Sequence, residues 1–257
     1  LTGASTSVTI QGSAVTLTGT NTFGGAFSLA PAGVLQVASG NTSANFGASI
    51  GGLISTGGTV RWAAGSTTDI TSGAGAISGG LSLWSGSTIF DTNGNDVTLA
   101  GVIGNAFGTG GLVKTGTGVL ALAGANSFTG ATSVAGGSLL LKNSDALARS
   151  PINFSSGTGA AAQLAFDSSV ASRVFTVGGI NTGSTSAVSY GIVLQDNAIT
   201  PNPVVLRVAY NSTTTANFSG IISGPGSFVK LGYGYLNLQS NPATYLCLLY
   251  TSPSPRD

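Results

Sequence analysis

Residues 110–143 read GGLVKTGTGVLALAGANSFTGATSVAGGSLLLKN. Three apolar runs lie in this stretch, at 112–114, 119–123 and 138–142, with a weaker fourth at 131–135, and glycine bounds each of them. Strands this short cannot enclose a core alone; they pair with copies of themselves in neighbouring turns of the chain. The stretch therefore predicts a solenoid. Alternation assigns the faces: Leu120, Leu122, Leu139 and Leu141 point inward, Val119, Ala121 and Ala123 outward, and Lys142 to solvent. The glycines supply the corners, because a chain that bends every four or five residues needs positions free of the Cβ penalty.

Working outward, the same theme recurs. Residues 97–143 form a central copy, residues 15–37 (VTLTGTNTFGGAFSLAPAGVLQV) an earlier one, and residues 218–245 a third. Lys114 and Lys230 lie 230 − 114 = 116 residues apart; Gly116 and Gly118 match Gly232 and Gly234, and Leu120 and Leu122 match Leu236 and Leu238. Between the first two copies, residues 38–90 carry short β segments cut at Gly51-Gly52, Gly57-Gly58 and Gly79-Gly80, and residues 91–96 (DTNGND) form a turn cluster. Residues 144–218 read as less regular. They include a candidate helical turn at 146–149, a polar loop at 182–186, and strands at 174–177, 190–194 and 204–209, the last bracketed by Pro201 and Pro203.

Composition narrows the class further. The 257 residues include 41 Gly, no Met, no His and no Glu, and only 6% are charged, against about a quarter in ordinary soluble domains. Low charge here does not mean disorder, because 42% hydrophobic residues and a mean hydropathy of +0.38 leave ample apolar surface to bury. Apolar residues nowhere hold the i, i+3, i+4, i+7 spacing over ten positions, so almost no helix is expected. A net charge of +1, spread singly, gives no basic stripe for nucleic acid. No apolar run reaches the roughly 18 residues of a spanning helix, and the chain opens without Met or a leader pattern, as a fragment begun in mid-repeat would.

The pattern G-G-L-x-K-x-G-x-G-x-L-x-L-x-G-x-N-x-[FY]-x-G, followed by a strand, G-G and another strand, resembles the autotransporter-associated β-strand repeat. Gly110, Gly111, Leu112, Lys114, Gly116, Gly118, Leu120, Leu122, Gly124, Asn126, Phe128, Gly130, Val134, Gly136, Gly137, Leu139 and Leu141 carry the match. The resemblance implies the passenger of a type V secretion autotransporter of a Gram-negative bacterium. Its fold would be all-β, a right-handed parallel β-helix exported and then displayed at the cell surface or released. At about 20 to 25 residues per turn it would have roughly ten rungs, each rising about 4.8 Å. Residues 1–245 are read as this passenger fragment. Neither signal peptide nor translocating barrel is found in it, so membrane attachment would come only through a barrel it does not contain. Residues 246–257 (LCLLYTSPSPRD), with the one cysteine, Cys247, leave the pattern and resemble translated sequencing-adapter read-through; they are read as a non-native tail.

No catalytic, cofactor or metal residues are assigned. Without histidine, Ser-His-Asp and Cys-His nucleophiles and histidine metal sites are excluded. Six Asp precede the tail (Asp69, Asp91, Asp96, Asp145, Asp167, Asp196), and only Asp91 and Asp96 are close in sequence; a structural turn outweighs an acid/base or calcium pair there. Lys114 and Lys230 are read as corner or stem-packing residues. GTGGLVKT resembles a phosphate loop but lacks Gly directly before Lys114 and opens a strand. Trp62, Trp84, Tyr190, Tyr210, Tyr233 and Tyr235 are read as core or ladder residues over sugar platforms, and Arg61 beside Trp62 is not read as a site. The sequons at Asn41 and Asn211 are expected by chance in a chain this rich in Asn, Ser and Thr. The leading expectation is a non-enzymatic extracellular stalk whose partners are a host or cell-surface glycan or protein, or another copy of itself. The alternatives are a polysaccharide-active β-helix enzyme, marked by converging carboxylates, and a hydroxyl-array binder of glycans or ice, marked by aligned Thr.

Overall fold

The computed structural model describes the chain except residues 1, 4, 49–50, 105–107, 155–162, 183–190, 210–214, 240–247 and 251–257, and describes residues 248–250 by backbone alone. It is an all-β solenoid of about nine turns with almost no helix. Among the described residues two short 3-10 turns, Ser43–Asn45 and Gly73–Gly75, interrupt the strands, and no helix is long and apolar enough to cross a membrane.

One sheet runs the length of the molecule. Its eleven described strands pair in parallel from Ala14–Thr16 through Val34–Val37, Thr59–Trp62, Ser87–Asp91, Gly111–Thr115, Thr132–Val134, Leu147–Phe154, Val174–Asn181, Val205–Ala209 and Ser227–Leu231 to the backbone of Leu248–Tyr250, inside the stretch read as a non-native tail. Along this sheet rung length varies from 20 residues (Leu112 to Thr132, 132 − 112) to 31 (Val174 to Val205, 205 − 174). Two larger sheets share the remaining faces, and two strand pairs, Thr2–Gly3 with Thr22–Phe23 and Ala216–Phe218 with Leu236–Leu238, complete the described strands. Five strands, Val8–Ile10, Phe27–Leu29, Leu53–Ser55, Leu81–Leu83 and Ile103–Gly104, precede the long-sheet strand of each early rung. Six others, Val97–Leu99, Val119–Leu122, Ser138–Leu141, Gln163–Phe166, Gly191–Asp196 and Ile221–Ser223, follow it in later rungs.

Because parallel pairing in register stacks like on like, the inward residues form columns. Leu120, Leu139, Leu164, Ile192 and Ile222 make one such column, all buried. Each fully buried Leu or Ile contributes about 1.5–3 kcal/mol relative to exposure. Ala121 is also buried, although it points outward, since it sits between Thr98 and Leu140 of the neighbouring rungs.

Residues 144–218 depart from expectation. The helical turn expected at 146–149 is absent: Ala146 N–H bonds Asn143 O and Ala148 N–H bonds Asp145 O, and the strand Leu147–Phe154 begins at once. Burial of Leu147, and then of Ser150, Ile152 and Phe154 in alternation, overrides the local helical propensity of Ala-Leu-Ala. This region also holds the longest strands, Leu147–Phe154 and Val174–Asn181, whose pairing shifts register between Leu147 and Pro151. Most of the polar loop expected at 182–186 lies outside the described residues.

Candidate functional site

The distinctive polar feature lies inside the solenoid. Alternation in Gly111–Thr115 turns Leu112 and Lys114 to the same, inner face, and both are wholly buried. Lys114 occupies a column between Phe90 of the preceding rung and Val134 of the next, where its four-carbon stem packs as an apolar residue would. Its ammonium reaches the corner and donates to the carbonyls of Thr115 (2.7 Å), Gly116 (2.9 Å) and Gly136 (3.1 Å), so one cation ties two rungs together.

Glycine makes this possible. Gly137 has a φ of 63°, and a Cβ there would come within 2.9 Å of Lys114 Nζ and collide with the carbonyls of Gly116 and Gly118. Burial pushes the Lys114 ammonium down to about 8, while Asp91 and Asp96 oppose the shift by favouring the charge. Lys230 repeats the bracket, donating to Leu231 O (2.6 Å) and Gly232 O (2.8 Å), and burial lowers its pKa as well. With their hydrogen-bonding capacity given to backbone carbonyls, these lysines are positioned for structure and not for attack on a substrate.

The corner amides do related work. Asn126 accepts from Ile103 N–H (2.8 Å) and donates to Ala146 O (3.0 Å), spanning the rungs on either side of its own. Asn41 accepts from Ala38 N–H and donates to Leu17 O; this sequon asparagine is buried and committed. Asn211, the other sequon residue, lies outside the described residues.

Of the six aspartates expected to be scattered, Asp145 is exposed and the other five are separately engaged. Asp91 caps its own turn at Asn93 N–H and pairs with Arg61 (3.3 Å), which stands opposite it on the neighbouring strand. Asp96 accepts from Val119 N–H, and Asp69 accepts from Ala100 N–H and from Thr71 and Ser72 in its own turn. Asp167 pairs with Lys142 (3.3 Å); burial raises its carboxyl, but bonds from Ser169 and Lys142 outweigh that and hold it below the usual range. Asp196 is held low by Asn202 N–H first, against a burial effect, and also by Ala198, the Asn202 amide and Arg173 (3.2 Å). Among the described residues no three His, Cys, Asp or Glu gather as a metal would require.

The aromatic residues divide. Trp62 is buried, stacks on Phe90 at 6.3 Å, and donates from its indole to Thr68 O, whereas Arg61 faces out on the opposite side of the strand. Trp84 is 41% exposed, and Tyr233 and Tyr235 are each 73% exposed, contrary to the core or ladder role expected of them. The core reading failed because Tyr233 falls in the corner bend and Tyr235 takes the outward position that Val119 takes in the central copy. Tyr190 and Tyr210 lie outside the described residues.

The family described as passenger-associated-transport-repeat matches residues 12–37 and 112–141, the second span containing both Lys114 and the glycines that enclose it. The chain carries autotransporter-passenger repeats. Over 142 residues, 55% of its length, the chain is 31% identical to the adhesin BmaC autotransporter of Brucella suis biovar 1 (strain 1330). The match covers 4% of that adhesin. No solved structure matches the chain. Together the repeats and the solenoid make it a passenger- or adhesin-like β-helix.

Proposed function

We propose that this passenger segment is non-enzymatic and works outside the cell, as a stiff rod that presents its lateral faces for adhesion or self-association. One observation carries the reading: Asp69, Asp91, Asp96, Asp167 and Asp196 each bond a backbone N–H or a cation within the rod. Carboxylates so engaged are structural ties, whereas a polysaccharide-cleaving site needs two of them converging on a substrate. Kinship with an adhesin autotransporter supports surface display or release.

The test is to place the chain ahead of an outer-membrane translocating barrel in a Gram-negative host. Expected outcomes are antibody labelling of intact cells, increased attachment or clumping of those cells, and no release of reducing ends from pectin, xylan or cellulose. Surface labelling with unchanged attachment and steady release of reducing ends would reject the reading in favour of an enzyme.

A further inference from the structure

Two copies of one repeat share a framework, so positions where they differ separate what the fold requires from what one copy adds. Setting Lys230 on Lys114 places Tyr233, Tyr235, Asn237 and Gln239 where the central copy has Thr117, Val119, Ala121 and Ala123. The rung pairing agrees, since Asn217 stands opposite Asn237 as Thr98 stands opposite Ala121. The central copy builds its rung with small side chains at these positions, so the fold does not demand two tyrosines and two carboxamides there.

Their surroundings give the row a chemical character. Both tyrosines are 73% exposed, Asn237 and Gln239 are exposed, and Gly234 between the tyrosines is buried. Asn237 Nδ2 and Gln239 Nε2 both donate to Asn217 Oδ1 of the preceding rung at 3.3 Å, which holds three carboxamides as one group beside Tyr235. Within residues 216–239 the one charged side chain is Lys230, whose ammonium is engaged by backbone carbonyls. Phenol rings offer a face to the C–H side of a pyranose, and carboxamides, donors and acceptors at once, suit adjacent sugar hydroxyls. A charged ligand would find no fixed counter-charge in the row.

We propose that Tyr233, Tyr235, Asn237 and Gln239, with Asn217, form a binding site for a neutral pyranose oligosaccharide. The proposal rests on the extracellular adhesive reading above and gives it a partner class.

The whole chain would be applied to a printed array of neutral, sialylated and sulfated oligosaccharides, and the strongest neutral binder titrated by calorimetry. The informative variant is Tyr233→Thr with Tyr235→Val, which installs the central copy's own residues and should keep the circular dichroism spectrum and Tm. Expected are binding of a neutral oligosaccharide that salt does not weaken, a loss of about tenfold or more in the double variant, and a smaller loss in Asn217→Ala. A blank array, binding confined to acidic glycans, or undiminished binding by the double variant would overturn the site. Should the array be blank while displayed chains still promote attachment, the sugar site falls and the passenger reading stands. Tyrosine-dependent sugar binding without attachment of displaying cells would leave the site standing and remove the adhesive role.

Discussion

Residues 8–104 and residues 97–238 wind around the same long sheet yet close their rungs on different faces. In the first region a five-stranded sheet precedes the spine, and the return path is a loop held by Asn41, Asn45 and Asp69. In the second a six-stranded sheet, joined beyond it by the pair Ala216–Phe218 and Leu236–Leu238, follows the spine, and the buried lysine bracket appears. Two successive rungs, Leu81–Leu83 with Ser87–Asp91 and Val97–Leu99, then Ile103–Gly104 with Gly111–Thr115 and Val119–Leu122, take part in all three larger sheets and are where one scheme gives way to the other. The difference teaches that only the spine must be continuous. A solenoid is stabilised by contact between neighbouring rungs, so the other faces can exchange strand for loop wherever side chains satisfy the freed backbone groups.

The comparison can be broken most severely in the core. Phe166→Ala in the second region and Phe27→Ala in the first should each cost roughly 3–5 kcal/mol, because both side chains are wholly buried. Hydrogen exchange should show the loss confined to the mutated region; equal deprotection of both would mean that the rod unfolds as one unit. Next is Gly137→Ala, expected to cost about 3 kcal/mol from its positive φ and the collision with the Gly116 and Gly118 carbonyls, read as a lowered urea midpoint.

Lys114→Met tests the bracket itself. It keeps the stem but strips the donor from three carbonyls, for a loss of roughly 2–3 kcal/mol at neutral pH. The pH dependence has a definite sign. A folded pKa of about 8 against 10.5 unfolded means that the unfolded chain binds more protons between those values, so stability should rise with pH across that window and the rise should vanish in Lys114→Met. Asn126→Ala should cost about 1–3 kcal/mol by orphaning Ile103 N–H and Ala146 O, and it should loosen amide exchange at the junction of the two regions first.

The smallest effect belongs to the partly exposed pair of Lys142 and Asp167, where Lys142→Ala should change stability by at most about 1 kcal/mol and less in high salt. With the Asp167 carboxyl held below its ordinary value, its contribution is present above that value and disappears as pH falls through the lowered one. The stabilities of wild type and Lys142→Ala should therefore differ above that acid range and converge as pH falls through it.

The sequence by itself determined the fold class, the strand faces of residues 110–143 and the corners, because alternation and glycine are local signals that each strand carries within a few residues. It also excluded histidine chemistry. It did not reveal that the inward side chain at Lys114 ends on three carbonyls, although the Leu112-x-Lys114 alternation already pointed that lysine inward. The tertiary structure alone decided which faces close as sheet, that Ala146 and Leu147 turn into a strand, and that Asn217 of one rung meets Asn237 and Gln239 of the next. Those outcomes depend on rung length, which varies from 20 to 31 residues along the long sheet, and therefore on which distant segment stacks against which.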